Sequence, residues 1–120
     1  MSRTKMRELA FQLVYSLGFD SVETPKDAPV DEFATQLIEY VTHNTANIDE
    51  IIVENVKGFC FDRIYKVDLA LLRMAIAEIK YMQTPAPVVI GSVVDLAKKY
   101  GTEKSPSFVN GVLAQVSKTA

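Results

Sequence analysis

Apolar residues recur every three to four positions along most of the chain, the spacing that lays one stripe along an α-helix. Met6, Ala10, Leu13, Val14 and Leu17 form the first stripe and predict a helix over about 3–18, with Gly18 as its stop. Two prolines and mixed charges from Asp20 to Pro29 read as a loop. Phe33, Leu37, Tyr40 and Val41 predict a second helix over about 30–43, broken by the polar run Thr42 to Asn47. Ile48, Ile51, Ile52, Val56 and Phe59 mark a third.

The segment from Asp62 to Lys66 reads as a short turn or helical continuation. Asp68 is a suitable N-cap for a strongly apolar helix carrying Leu69, Leu72, Ile76 and Ile79. Leu71, Met74 and Ala75 widen its apolar face, which predicts the central helix of a bundle. Thr84-Pro85-Ala86-Pro87 ends it, because residues preceding proline are pushed out of the helical region. Val89, Ile90, Val93, Val94 and Ala97 predict a fifth helix. Val88 to Ile90 would also suit a strand, but Pro87 and the following spacing favour helix. Val109, Val112, Leu113 and Val116 line the last, over about 106–117. Asn110-Gly111 is a hairpin signal between strands; at this helical spacing Gly111 would permit close helix packing, and Asn110 would need a buried partner. The fold class is therefore all-α, a compact bundle of about six to seven helices.

Composition narrows the function. A chain of 120 residues forms one domain, residues 1–120, with a single core. No apolar run reaches the roughly 20 residues of a membrane span, and the first residues lack an apolar signal core. The lone Cys60, between Phe59 and Phe61, reads as a buried inert thiol. These points favour the cytoplasm and no membrane. A net charge of −2 argues against a bulk nucleic-acid binder, so any RNA site must be a local basic patch. Arg3, Lys5 and Arg7, opposed only by Glu8, form one; on charge alone a solvated terminus explains them equally. Catalysis finds little support. His43 is the only histidine, which excludes a multi-histidine metal site, and no phosphate-cradling glycine loop is present. Neither catalytic residues, a metal nor a cofactor is expected.

The most specific stretch is Val93 to Leu113, a helix, a stop, a polar turn and a new helix. Gly101 suits a left-handed C-cap, and Ser105-Pro106 suit an N-cap and first helical position. Phe108 then falls in the first turn beside Lys104, an aromatic and a cation near free backbone N–H groups, as an RNA-binding corner requires. Spacing alone favours the alternative that Phe108 only packs into the core.

This stretch resembles the signature of the NusB family of transcription antitermination factors. The resemblance extends to Lys5-Met6-Arg7-Glu8-Leu9-Ala10 with Gln12 and Tyr15, to Val67 through Ala75 with Glu78, and to Pro85 with the segment from Val88. It implies an all-α fold of two small helical halves that binds single-stranded boxA RNA together with NusE, a ribosomal small-subunit protein. The pair would act in an RNA polymerase antitermination complex that reads through terminators in ribosomal RNA operons. By the same resemblance Arg3, Lys5 and Arg7 match the RNA-holding basic arm, Phe108 the RNA-contacting aromatic, with Lys104 in its turn. Tyr15 and Asp68 match positions facing NusE, where an acidic Asp68 suits a basic protein. Arg73 is left as either a buried bridge or an RNA contact. If Arg3, Lys5, Arg7 and Lys104 each meet a phosphate, the log–log salt slope is about −3.

The chain also departs from the family pattern. Lys104 replaces a residue usually acidic or polar, which predicts tighter and less selective RNA binding. Ser107 stands where a cation is common, and Gly91-Ser92 where Asn-Glu is typical. Two competing functions remain: the NusB-like RNA-binding module of a ribosomal RNA methyltransferase, and a non-RNA helical scaffold, including a homodimer that hides the basic arm.

Overall fold

The apolar run after Lys66 becomes the axis of the molecule. The computed structural model describes residues 2–19, 32–56, 58 and 60–119. Among them are six α-helices: α1 (Arg3–Phe19), α2 (Glu32–His43), α3 (Thr45–Asn55), α4 (Lys66–Tyr81), α5 (Ala86–Tyr100) and α6 (Ser105–Thr119). A short 3-10 turn, Phe61–Arg63, leads into α4. The described residues include no strand, so the all-α expectation holds. No helix among them is long and apolar enough to cross a membrane.

Eleven of the 16 residues of α4 are buried, on every side of the helix. A helix apolar all round must be enclosed, and α4 packs against each of the other five. Any division into two helical halves therefore shares α4. The remaining helices each turn one stripe inward: Met6, Ala10, Phe11 and Val14; Phe33, Ala34, Leu37 and Val41; Ile48 and Ile52; Val89, Val93, Leu96 and Ala97; Val109, Val112, Leu113 and Val116.

Helix boundaries differ from the sequence expectation in several places. Helix α1 passes through Gly18 to Phe19. The polar break after α2 shrinks to Asn44 alone. There the Asn44 amide donates to the Tyr40 carbonyl at 2.9 Å and the Thr45 hydroxyl to that of Val41 at 2.7 Å, so α3 starts at Thr45. Asp68 is not the N-cap of α4. Tyr65 holds that position, and the first helical bond runs from the Leu69 N–H to the Tyr65 carbonyl. Extended backbone at Ile64 and Tyr65 lets the helix begin earlier than the carboxylate suggested. Helix α4 ends at Tyr81, before Thr84-Pro85, and Gln83, at φ 57°, turns the chain back.

Three other expectations change. Asn110 and Gly111 are helical, but both are exposed and a Cβ at Gly111 would meet nothing within 4 Å. The α6 stripe falls on Val109, Val112, Leu113 and Val116, which leaves that pair facing outward. Cys60 is exposed rather than buried, because extended backbone there carries it outside the turn that follows. The loop from Asp20 to Pro29 and the side chain of Phe59 lie outside the described residues.

Candidate functional site

Gly101 closes α5 by donating its N–H to the Ala97 carbonyl at 2.9 Å. Its φ of −92° and ψ of −164° are extended, not the left-handed cap expected from sequence. Glycine is required here for a different reason. A Cβ would collide with Oγ and Cβ of Ser105 and approach the Ala97 carbonyl to 2.8 Å. Ser105, only 1% exposed, sits there because its Oγ accepts the Thr102 N–H at 2.9 Å. The serine thus closes the turn behind it, while the Phe108 N–H opens α6 by donating to the Lys104 carbonyl at 3.1 Å. Pro106 lies in the first helical turn, where no intrahelical N–H is needed.

This tight turn sets Lys104 and Phe108 together. Lys104 is exposed, and Phe108 is half-buried, with part of its ring packed on the core. Both line a cavity of about 730 Å³ that also takes in Arg63, Tyr65 and Asp68. Asp68 is its buried member, 6% exposed, and Oδ1 has no hydrogen-bond partner. Burial pushes this carboxyl above the ordinary aspartate value, and the nearby Ser105 hydroxyl opposes that shift. Arg63 is exposed and Tyr65 half open at 49%. Sequence reasoning passed over both. The available signal was a cation and an aromatic bracketing Ile64 just ahead of the apolar helix.

The basic arm divides. Arg3 and Lys5 are exposed, and the Arg3 guanidinium lies 4.0 Å from the centre of the Phe33 ring. Arg7 departs from the expected solvent-facing position. Its Nε and Nη2 donate to the two carboxylate oxygens of Glu78 at 2.7 Å each, with side-chain exposures of 5% and 1%. Position 7 shares the inward face of α1 with Met6 and Ala10, so its charge had to find a buried partner. Glu78 lies ten residues along α4 from Asp68, about 15 Å of helix rise. Arg3 and Arg7 line a second cleft of about 640 Å³ with Glu32, Gln36 and Met82, separate from the Phe108 cavity.

Tyr15 is 38% exposed. Phe11 lies between it and Tyr100, with ring centres 6.1 Å from Tyr15 and 4.9 Å from Tyr100, the residue before Gly101. The Gln12 amide donates to the Tyr100 hydroxyl at 3.1 Å, which fixes the end of α5 against α1. One further cation, missed in the sequence, stands at this junction: Lys99 donates to both Glu8 oxygens at 3.0 and 3.1 Å. The hydrogen bond from Lys99 holds the Glu8 carboxyl below its ordinary value, and Glu8 in turn raises Lys99. The Lys98-Lys99 pair before Tyr100-Gly101 was the signal for it. Arg73 donates through Nε and Nη2 to the Asp49 carboxylate at 2.8 and 2.9 Å, a bridge between α4 and α3. His43 is exposed. Among the described residues no cluster of three or more His, Cys, Asp or Glu could hold a metal.

The NusB family model matches residues 4–118 of the chain. Transcription antitermination protein NusB of Listeria innocua is 36% identical over 124 residues, covering 98% of this chain and 97% of that protein. Among solved structures, T. maritima NusB superposes with a TM-score of 0.87 at 28% identity, over 98% of this chain and 92% of that one. A complex of the antitermination factors NusB and NusE with dsRNA superposes with a TM-score of 0.84 at 28% identity, over the whole of both chains.

Proposed function

This chain belongs to the NusB family, and on that premise we propose that it binds RNA jointly with a NusE-type ribosomal protein as a transcription antitermination factor. One observation carries this function beyond the family. A single cavity gathers Asp68, the position suited to the protein partner, with Lys104 and Phe108, the positions suited to RNA. Partner and RNA would meet on a common surface, so each would strengthen the hold of the other.

The chemistry of each residue supports that division of roles. Asp68 lines the cavity and keeps a buried carboxylate oxygen without a hydrogen-bond partner, a costly state that a cationic side chain of a basic protein brought to its carboxylate would offset. Tyr15, half exposed near the Tyr100 end of α5, offers that partner an aromatic contact. Phe108 supplies a stacking surface, and Lys104 a phosphate contact beside it. Arg3 and Lys5 extend the phosphate path along α1. Arg7 serves the arm from within, by fixing α1 to α4 through Glu78.

The RNA is of the single-stranded boxA type. An aromatic stacks readily on an unpaired base and poorly on one enclosed in a duplex. The function involves no catalytic step, and its setting is the cytoplasm, where bacterial transcripts are made. The antitermination complex of RNA polymerase is the assembly served. The matched Listeria relative is an antitermination protein along nearly its whole length, which favours this function over a methyltransferase module.

The test is binding of a boxA-type RNA and a scrambled RNA, with and without the NusE partner, at several salt concentrations. Preference for boxA that grows with the partner is expected. Equal or absent binding of both RNAs with no partner effect would transfer the assignment to the scaffold or homodimer.

A further inference from the structure

Two lysines from different helices converge on one carboxylate. Lys99 Nζ of α5 lies 3.0 Å from Glu8 Oε1, and Lys5 Nζ of α1 lies 3.6 Å from the same oxygen. Their exposures are unequal. The lysine side chains are 58% and 57% exposed, whereas the Glu8 side chain is 15% exposed. The anion is therefore set into the surface and the two ammonium groups stand over it. Each ammonium carries three donors, so both retain N–H groups directed to solvent. The two nitrogens can be no farther apart than the two legs through Glu8 allow, a separation within reach of one phosphate or two neighbouring ones.

The surroundings make this a fixed site. The Lys99 ammonium lies 5.4 Å from the centre of the Tyr100 ring. The Tyr100 ring packs on Phe11, and its hydroxyl accepts the Gln12 amide. Lys98 next door is matched by Asp95 at 4.0 Å, with both side chains well exposed. Lys5 and Lys99 thus leave one unit of excess positive charge on a molecule whose net charge is −2. Lys5 belongs to the arm at the start of α1, and Lys99 ends α5 five residues before Lys104 in the turn that follows.

We infer that Lys99 is an additional RNA-phosphate contact, and that Glu8 is the built-in counter-anion from which phosphate takes over Lys99 and Lys5. The inference rests on the RNA-binding function proposed above. It assigns opposite signs to two residues that face each other. Lys99 contributes to binding, whereas Glu8 opposes it by holding the same donors in the free protein. A site half neutralised from within also holds stray anions less well than two free lysines would, and favours a ligand with several phosphates in register.

The test uses the full chain, the NusE partner and a labelled boxA-type RNA, titrated at four or more salt concentrations. K99Q is expected to weaken binding roughly threefold to fourfold near physiological salt and to make the log–log slope less negative by about 0.7. E8Q is expected to tighten binding about two- to fivefold, the scale of one exposed ion pair. E54Q is the control for net charge: Glu54 is exposed on α3, which packs mainly on α2, α4 and α6, and its loss is expected to change little. A structural clamp predicts the reverse for E8Q, with weaker RNA binding and a lower Tm in both E8Q and K99Q. Unchanged affinity and slope in K99Q, weaker binding in E8Q, or equal gains in E8Q and E54Q would each overturn the inference while leaving the RNA-binding function intact. A wild-type protein that binds neither RNA overturns both.

Discussion

Arg7 and Glu78, 71 positions apart, form a bidentate pair in which both hydrogen bonds measure 2.7 Å and both side chains are withdrawn from solvent. The pair ties the first helix to the central one, and so fixes where the exposed Arg3 and Lys5 stand. Breaking it from one side leaves a buried charge without compensation. E78Q and R7M are each expected to lower stability by about 3–5 kcal/mol, whereas the double change R7M/E78L recovers much of that loss. Urea unfolding of the three variants checks this, and a double mutant no better than the singles would refute it.

The α5–α6 turn depends on a missing side chain. G101A is expected to destabilise the protein by about 1–3 kcal/mol, as forced overpacking does, because its methyl group collides with Ser105. Adding S105A brings no rescue, since the Cβ of residue 105 is itself one of the colliding atoms. Thermal unfolding of G101A and G101A/S105A measures both. The same variants should bind RNA less tightly, because the turn aligns Lys104 with Phe108.

Asp68 makes stability depend on pH in a direction opposite to most carboxylates. Burial raises its pKa in the folded protein above the ordinary 3.8. Between those two values the folded state holds more protons than the unfolded one, so stability falls as pH rises through the folded pKa. Its neutral form contributes fully below pH 3.8, and that contribution is gone once the buried carboxyl ionises. D68N is expected to be at least as stable as the wild type at pH 7, with the gain fading as pH falls towards that ordinary value. It is also expected to bind the NusE partner less well. Denaturant midpoints across pH 4–8 and a partner titration read the two effects separately. A D68N protein less stable at pH 7 and unchanged at pH 4 contradicts the sign.

Lys104 and Phe108 should fail in different ways. K104D is expected to weaken RNA binding and to make the salt slope less negative by about 0.7, with selectivity between boxA and scrambled RNA improved. F108L keeps an apolar side chain against the core but removes the stacking face, and is expected to lose about 1–3 kcal/mol of RNA binding with little change in slope. With Arg7 buried, Arg3, Lys5 and Lys104 alone give a wild-type slope of about −2, and Lys99 restores the steeper value near −3. Affinities over a salt series decide among these.

The helical architecture was legible because core stripes are local: Leu72 and Ile76 declare their face within two turns of chain. Helix ends were less so. Asp68 looked like a cap from its residue type, but the preceding 3-10 turn and the extended Ile64 and Tyr65 moved the start of α4 to Lys66. At the site, the turn carrying Lys104 and Phe108 was readable because its residues are contiguous. The burial of Arg7 was not, because its partner lies on another helix 71 residues away. The need for glycine at 101 was visible, but its cause was a contact with Ser105 and not a backbone angle. Arg63, Tyr65 and Lys99 gain meaning only once three helices are placed together.

The enclosure of α4 also bears on how the chain comes off the ribosome. Helices α1, α2 and α3 all pack on residues 66–81 as well as on their chain neighbours, so their apolar stripes are only partly covered until that segment has emerged. At about 5–20 residues per second this interval is on the order of seconds. Through it the nascent chain leaves part of its first three stripes open to solvent. A chaperone that recognises short apolar stripes would therefore engage this protein before α4 appears and release it once α4 docks.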